Sequence, residues 1–203
     1  MKLFYSSASP YARKVLVSAH ETGLDKRIEL VTASVVPLKP EPTISKANPL
    51  AKIPTLITDE GEPLYDSGVI TEYLDSLHTG RKLIPASGSA RWRVKRLEAL
   101  GDGMTDAGIL VRYEIALRPE EKRWPDWIAG QTAKVNQALD LLEQDAASFG
   151  AEPDVGQIAV ACSIGWLEFR KPTGEIRPGR PKLFAWYDAF CKRPSMVATV
   201  PKA

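Results

Sequence analysis

Cysteine and histidine are scarce in this 203-residue chain, with two of each. Cys162 and Cys191 are too few for a disulfide framework, and neither sits in a CxxC pair. His20 and His78 lie far apart, with no HExxH and no further ligand at metal spacing, so no dedicated metal site is expected. An excess of one charge is missing too. Lysine and arginine number 27 against 25 acidic residues, a net +2, which gives no broad electrostatic ground for nucleic acid or an anionic membrane as partner. No apolar run approaches the ~20 residues of a membrane span. The start, MKLFYSSASPYARK, offers only Leu3 to Tyr5 where a secretory leader needs roughly 7–15 apolar residues. With so few thiols, a reducing cytoplasm is the expected setting. What remains is 44% apolar and 26% charged, the mixture of a globular chain rather than a disordered one.

The two halves of the chain read differently. Before about residue 78, short β-like runs alternate with helical patterns. Lys2–Tyr5 predicts a strand, and Ser9-Pro10 predicts a cap followed by proline at the first helical position. Ala12, Val15, Leu16 and Ala19 then recur at helical spacing up to the stop at Gly23. Ile28–Val31 predicts a second strand, Val35 to Asn48 is proline-rich and predicted mostly loop, and Pro54–Thr58 with Pro63–Asp66 predicts a hairpin. Ser67 is placed to cap a helix whose apolar face is Ile70, Tyr73, Leu74 and Leu77. After a Gly/Ser/Pro-rich connector, the rest predicts helices only. Leu97, Leu100, Met104, Ala107 and Val111 form one apolar seam, Ile128, Val135, Leu139 and Leu142 a second. Ile158–Phe169 is apolar nearly all round and therefore a buried central helix. Leu183 to Cys191 predicts a further helix ending before Pro194. The expected division is 1–78, a linker at 79–88, and an all-helical domain at 89–203.

Three local motifs in this order are Ser9-Pro10-Tyr11-Ala12-Arg13-Lys14, Asn48-Pro49-Leu50-Ala51-Lys52-Ile53-Pro54-Thr55-Leu56, and Asp66-Ser67. With Ile158-Ala159-Val160-Ala161-Cys162 and Arg193-Pro194-Ser195-Met196, they make the chain resemble the soluble glutathione transferase family along its full length. The resemblance implies an α/β thioredoxin-like N-terminal domain (βαβ-ββα) followed by an all-α domain, with glutathione bound at the first. The expected activity is glutathione transfer to a small hydrophobic electrophile or reduction of a peroxide, in a homodimer, with glutathione as co-substrate and no metal.

Glutathione presents carboxylates, an ammonium, amides and a thiol, and each demands a partner. Ser67 at a helix start offers a hydroxyl and an N–H to the γ-glutamyl carboxylate, and Asp66 can face the ammonium. The resemblance implies a cis bond at Ile53-Pro54, with the Ile53 backbone pairing with the cysteinyl amide. Lys52, with Lys39 a weaker candidate, can meet the glycyl carboxylate. A thiol of pKa ~8.5 is mostly protonated at pH 7, so a hydroxyl donating to the sulfur at a helix N-terminus would stabilise the thiolate. Ser9 is so placed and resembles the serine of tau-type transferases; Ser6 and Ser7 are rivals within the same loop, Tyr5 a poorer one. Each of these serines and acids can also be a plain helix cap or strand end.

Serine rather than cysteine at that position disfavours disulfide exchange through a protein–glutathione mixed disulfide. Cys162 and Cys191 read as structural thiols. For the electrophile, Met104, Gly108 and Arg112 recur at one-turn spacing on the long helix, although Met104 also belongs to the apolar seam. Asp154 and Gln157 can form a capping box where the family often has Ser/Thr-x-x-Asp. Thr173 to Arg180 is Gly/Pro-rich where relatives tend to carry an aromatic residue. The basic run Arg91 to Arg96 is expected to be a solvated or interface face rather than a nucleic-acid site. The alternatives left open are a non-catalytic glutathione or ligand carrier on the same fold and, more weakly, a glutathione-dependent disulfide reductase.

Overall fold

A computed structural model describes residues 1–202. Strand β1 (Lys2–Tyr5) runs parallel to β2 (Glu29–Thr32), joined through α1 (Pro10–Glu21). Strands β3 (Thr55–Ile57) and β4 (Pro63–Leu64) add antiparallel, giving the order β2-β1-β3-β4. The hairpin turn closes at Gly61, whose φ of 90° suits a residue without a side chain. Helices α1 and α3 (Ser67–Ser76) cover the sheet through Leu3, Val15, Ala19, Leu56, Ile70 and Leu74, all fully buried. The remaining chain is helical: α4 (Gly88–Ala116), α5 (Pro125–Asp145), α6 (Val155–Arg170), α7 (Pro181–Phe190) and α8 (Pro194–Ala198). This is a thioredoxin-like domain followed by a helical one.

Two elements depart from the sequence expectation. The proline-rich stretch contains a short helix, α2 (Pro42–Ala47), because the Glu41 side chain accepts the Ile44 N–H at 2.8 Å and Pro42 needs no partner at the first helical position. The same proline signal opens α8, beyond the expected last helix. The connector is also firmly held. Buried Asp75 accepts the N–H groups of Leu83 and Ile84 at 2.8 and 3.2 Å, and the Leu83 carbonyl accepts Val155 N–H at 3.1 Å.

Helix α6 is the centre of the second core. Residues 155–167 are all buried. Its start carries the capping box: Asp154 accepts Gln157 N–H at 2.8 Å while the Gln157 side chain accepts Asp154 N–H at 3.1 Å. Helix α4 presses on it so closely that a Cβ at Gly101 would lie 2.8 Å from the backbone of Ala159 and Val160. Cys162 is sealed in this core, and burial pushes its thiol up to about 11. Cys191 lies half-buried just beyond α7. Cys162 is the less ionised for being dry.

Candidate functional site

Strand register brings three sequence motifs to one end of the sheet. Phe4 pairs with Thr55 and Leu56 with Leu64, both antiparallel, so the residues after β1, those before β3 and those after β4 meet. These are the Ser6–Ser9 loop, Ile53-Pro54 and Asp66-Ser67. The opposite end is closed by charge: the Met1 ammonium meets Asp59 at 2.5 Å, and Arg27 meets the same carboxylate at 3.0 Å.

At the open end, each segment is held from behind and leaves polar groups free. Ser9 caps α1, its hydroxyl oxygen accepting Ala12 N–H at 3.2 Å, so its proton remains available to an acceptor in front. Pro10 contributes no N–H, and the Tyr11 N–H has no partner within the chain among the described residues. Ser6 accepts Ala8 N–H at 3.3 Å and keeps its proton as well. Ser7 does not, because it donates to the Lys202 carbonyl at 3.3 Å and points toward the C-terminal segment.

The Ile53-Pro54 bond is cis. Its loop is fixed by buried Asn48, a residue whose role its motif does not reveal. The Asn48 amide donates to the Lys52 carbonyl at 3.2 Å and to Thr55 Oγ1 at 3.1 Å, and its oxygen accepts Leu50 N–H at 3.0 Å. Thr55 donates to the Lys52 carbonyl at 2.8 Å. These bonds hold Ala51 at a positive φ of 51°, a conformation few non-glycine residues adopt. Ile53 itself makes no backbone hydrogen bond among the described residues. Its N–H and carbonyl can therefore pair with an amide of a bound peptide. The Lys52 and Lys39 side chains are exposed, with no carboxylate partner among the described residues.

Asp66, not Ser67, caps α3: its carboxylate accepts Gly68 N–H at 3.0 Å. The expectation for Ser67 was off by one position, because the aspartate side chain competes successfully for that N–H. Ser67 thereby becomes the first helical residue, buried, with N–H and hydroxyl both unused within the chain among the described residues. A helix start with a free N–H and hydroxyl is a carboxylate-binding arrangement.

Helix α4 supplies the wall opposite α1, by a face other than the one expected. Met104 is 2% exposed within the helical core. At Gly108 a Cβ would lie 3.0 Å from both Leu167 and Trp166, so that position also faces α6. Neither lines a cleft; the regular apolar spacing marked packing. Of the three expected pocket residues only Arg112 lies half-exposed. The face toward α1 carries Glu98, Asp102 and Asp106 instead, at i, i+4 and i+8. Lys14, 1% exposed, donates to Asp102 at 2.6 Å and to Glu98 at 3.2 Å. Burial alone would lower the Lys14 ammonium, but these two carboxylates outweigh it and hold it above its ordinary value. Asp102 is pushed up by its burial, against the pull of Lys14. Tyr11 donates its hydroxyl to Asp106, and burial with that carboxylate drives the phenol far above its usual range.

The basic run folds back on α3: Arg91 and Lys95 meet Glu72 at 2.5 and 3.6 Å, and Lys95 also meets Glu98 at 2.6 Å. Two surface depressions, of about 610 Å³ against α5 and about 290 Å³ between Glu21, His78 and Arg81, lie away from the α1 start. Among the described residues no group of three or more His, Cys, Asp or Glu is placed to hold a metal, and no helix is long and apolar enough to cross a membrane.

Two family models match parts of the chain. Residues 8–77 match the model of the glutathione S-transferase N-terminal domain, and residues 125–189 that of the C-terminal domain. A GST-like protein of Escherichia coli K12, YibF, described as uncharacterized, is 33% identical over 208 residues, covering 99% of this chain and 98% of that protein. A crystal structure of a glutathione transferase family member from Pseudomonas fluorescens Pf-5, with bound glutathione, is 48% identical with a TM-score of 0.94, covering 100% of this chain and 99% of that one. A second structure described as a glutathione transferase family member from the same strain, with bound S-(propanoic acid)-glutathione, is likewise 48% identical with a TM-score of 0.92 over 100% of both chains.

Proposed function

The chain belongs to the glutathione S-transferase family, and from that premise we propose that it binds glutathione at the open end of the sheet and transfers it to an electrophile. The observation that carries this reading is the set of unused donors and acceptors gathered there. Ser67 N–H and Oγ take the γ-glutamyl carboxylate, helped by the α3 dipole, and Asp66 beside it faces the ammonium. The Ile53 backbone pairs with the cysteinyl amide, and Lys52 reaches the glycyl carboxylate. Bound structures of relatives support the choice of ligand: two that are 48% and 40% identical hold glutathione.

The thiol then lies at the start of α1. Ser9 donates to the sulfur while its oxygen stays tied to Ala12 N–H, and the free Tyr11 N–H and the helix dipole add to the stabilisation. A shift of about two units from ~8.5 makes thiolate the major form at neutral pH, a differential stabilisation of ~2.7 kcal/mol. The thiol proton passes to water. Sulfur attacks the electrophilic carbon, a C–S bond forms, and the leaving group departs with its electron pair. Ser7 is the poorest rival, since its proton is committed to Lys202. Ser6 keeps a free proton but caps no helix of this length. Disulfide reduction is disfavoured: Ser9 cannot form a mixed disulfide, and both thiols lie in the helical domain.

A glutathione column and isothermal titration test binding, and an aryl halide, a peroxide and a mixed disulfide as second substrates test turnover. Ser67→Ala is expected to weaken glutathione binding at least tenfold; an unchanged affinity removes Ser67 from the site. Tight binding without turnover on any of the three substrates identifies a carrier instead.

A further inference from the structure

Nearly every arginine of this chain is occupied. Arg177 grips Glu168 and Asp188, Arg180 grips Asp140, Arg193 grips Glu21, Arg91 grips Glu72 and Arg118 grips Glu114. Two half-buried arginines stand apart. Arg112 and Arg170 have no carboxylate, carbonyl or hydroxyl partner among the described residues. The acids near them are committed elsewhere: Glu168 to Arg177, Glu175 to Lys171, Glu114 to Arg118 and the Trp124 N–H.

The packing brings this pair together on the seam between α4 and α6, on the side toward the α1 start. Helix α1 runs antiparallel to α4, Lys14 meeting Asp102 and Tyr11 meeting Asp106, and Arg13 abuts Gly165 of α6. The C-terminal halves of α4 and α6 therefore converge on the α1 start. Gly108 brings them together, since a Cβ there would touch Trp166 and Leu167 at 3.0 Å and Pro172 at 3.7 Å. Arg112 follows one turn later on α4, and Arg170 ends α6 with its guanidinium 4.3 Å above the Phe169 ring. That stacking fixes the plane and leaves the N–H edges free. Burial, and the Arg112 charge close by, hold the Arg170 guanidinium below its usual value. Two like charges held together without a counter-charge are a cost that an anion would relieve.

From these observations we infer that Arg112 and Arg170 form a carboxylate subsite for the second substrate, so that the preferred electrophiles carry a carboxylate a short alkyl arm from the reacting carbon. This deepens the reading above and rests on glutathione binding at the sheet end. A thioether of glutathione bearing such an arm would set its carboxylate in the guanidinium fork, while the glutathione part occupies Ser67 and Ile53.

Titration calorimetry with S-(2-carboxyethyl)glutathione, the near-isosteric S-propylglutathione and glutathione itself tests the proposal. The protein is expected to bind the carboxylated thioether at least tenfold more tightly than the propyl one. Arg112→Gln and Arg170→Gln should each shrink that ratio to about two or less, and Arg170→Lys should keep part of it. Equal affinity for the two thioethers in the unaltered protein, or a ratio untouched by both glutamine variants, overturns the subsite. Failure to bind glutathione at all overturns the underlying reading instead.

Discussion

The two faces of α4 divide the labour of the molecule. One face, with Gly101, Met104, Ala107, Gly108 and Val111, is apolar or small and locks onto α6. The other, with Glu98, Asp102 and Asp106, is acidic and receives Lys14 and Tyr11 from α1. The first resembles an ordinary helix–helix core, where volume decides stability. The second joins two domains through the buried Lys14–Glu98 pair, where removing one partner costs more than the pair contributes. The difference teaches that regular apolar spacing on a long helix marks its packing face, while the face toward α1 carries the charge.

The largest effect is expected on the charged face. Lys14→Met leaves Asp102 without its cation and Glu98, 4% exposed, with Lys95 alone, a loss of about 3 kcal/mol. Thermal unfolding should fall by ~10 °C, and Lys14→Met/Glu98→Met should recover much of it; a single variant as stable as the parent would put the two faces on the same footing. On the packing face, Gly101→Ala drives a Cβ to 2.8 Å from the Ala159 and Val160 backbone. Overpacking of that kind costs about 1–3 kcal/mol in denaturant unfolding, with little change expected in glutathione affinity.

A smaller contribution, dependent on pH, comes from the far end of α1. Burial alone would raise Glu21, but hydrogen bonds from Arg193 and Ser195 prevail and hold its carboxyl below the ordinary value. A depressed folded value means the stabilisation is complete above the unfolded glutamate value of ~4.3 and is lost as pH falls through the lower folded one. Unfolding midpoints of the parent and Glu21→Gln should therefore differ at pH 6 and draw together as the pH falls from ~4.3 through the lower folded value; a constant gap would assign Glu21 a packing role.

Much of this was legible from the residues. The Ser9-Pro10 helix start, the Asp154/Gln157 capping box and the buried run of α6 depend on neighbours within a few positions, and the structure has each of them. The sheet-end residues lie in three short local motifs, although the Asp66/Ser67 capping roles turn on which of two adjacent side chains reaches Gly68 N–H. Long-range partners were not legible. Lys14 is separated from Glu98 by 84 positions, and Arg13 from Met196 by 183. Spacing of Glu98, Asp102 and Asp106 at every fourth position signals a stripe, but not what it faces. Arg170 stands out only once every other carboxylate nearby is seen to be taken.

The central claim is that Ser9, held as the α1 cap, stabilises the glutathione thiolate. The most direct measurement is the ultraviolet thiolate absorbance of bound glutathione as a function of pH, in the unaltered protein and in Ser9→Ala and Ser6→Ala. The account predicts a thiol pKa near or below 7 in the unaltered protein, raised by at least one unit in Ser9→Ala, about 1.4 kcal/mol, and unmoved in Ser6→Ala. Loss of the cap alone would cost about 1 kcal/mol of stability without touching that pKa. A titration in which Ser9→Ala superimposes on the unaltered protein, or in which Ser6→Ala carries the shift, would contradict it.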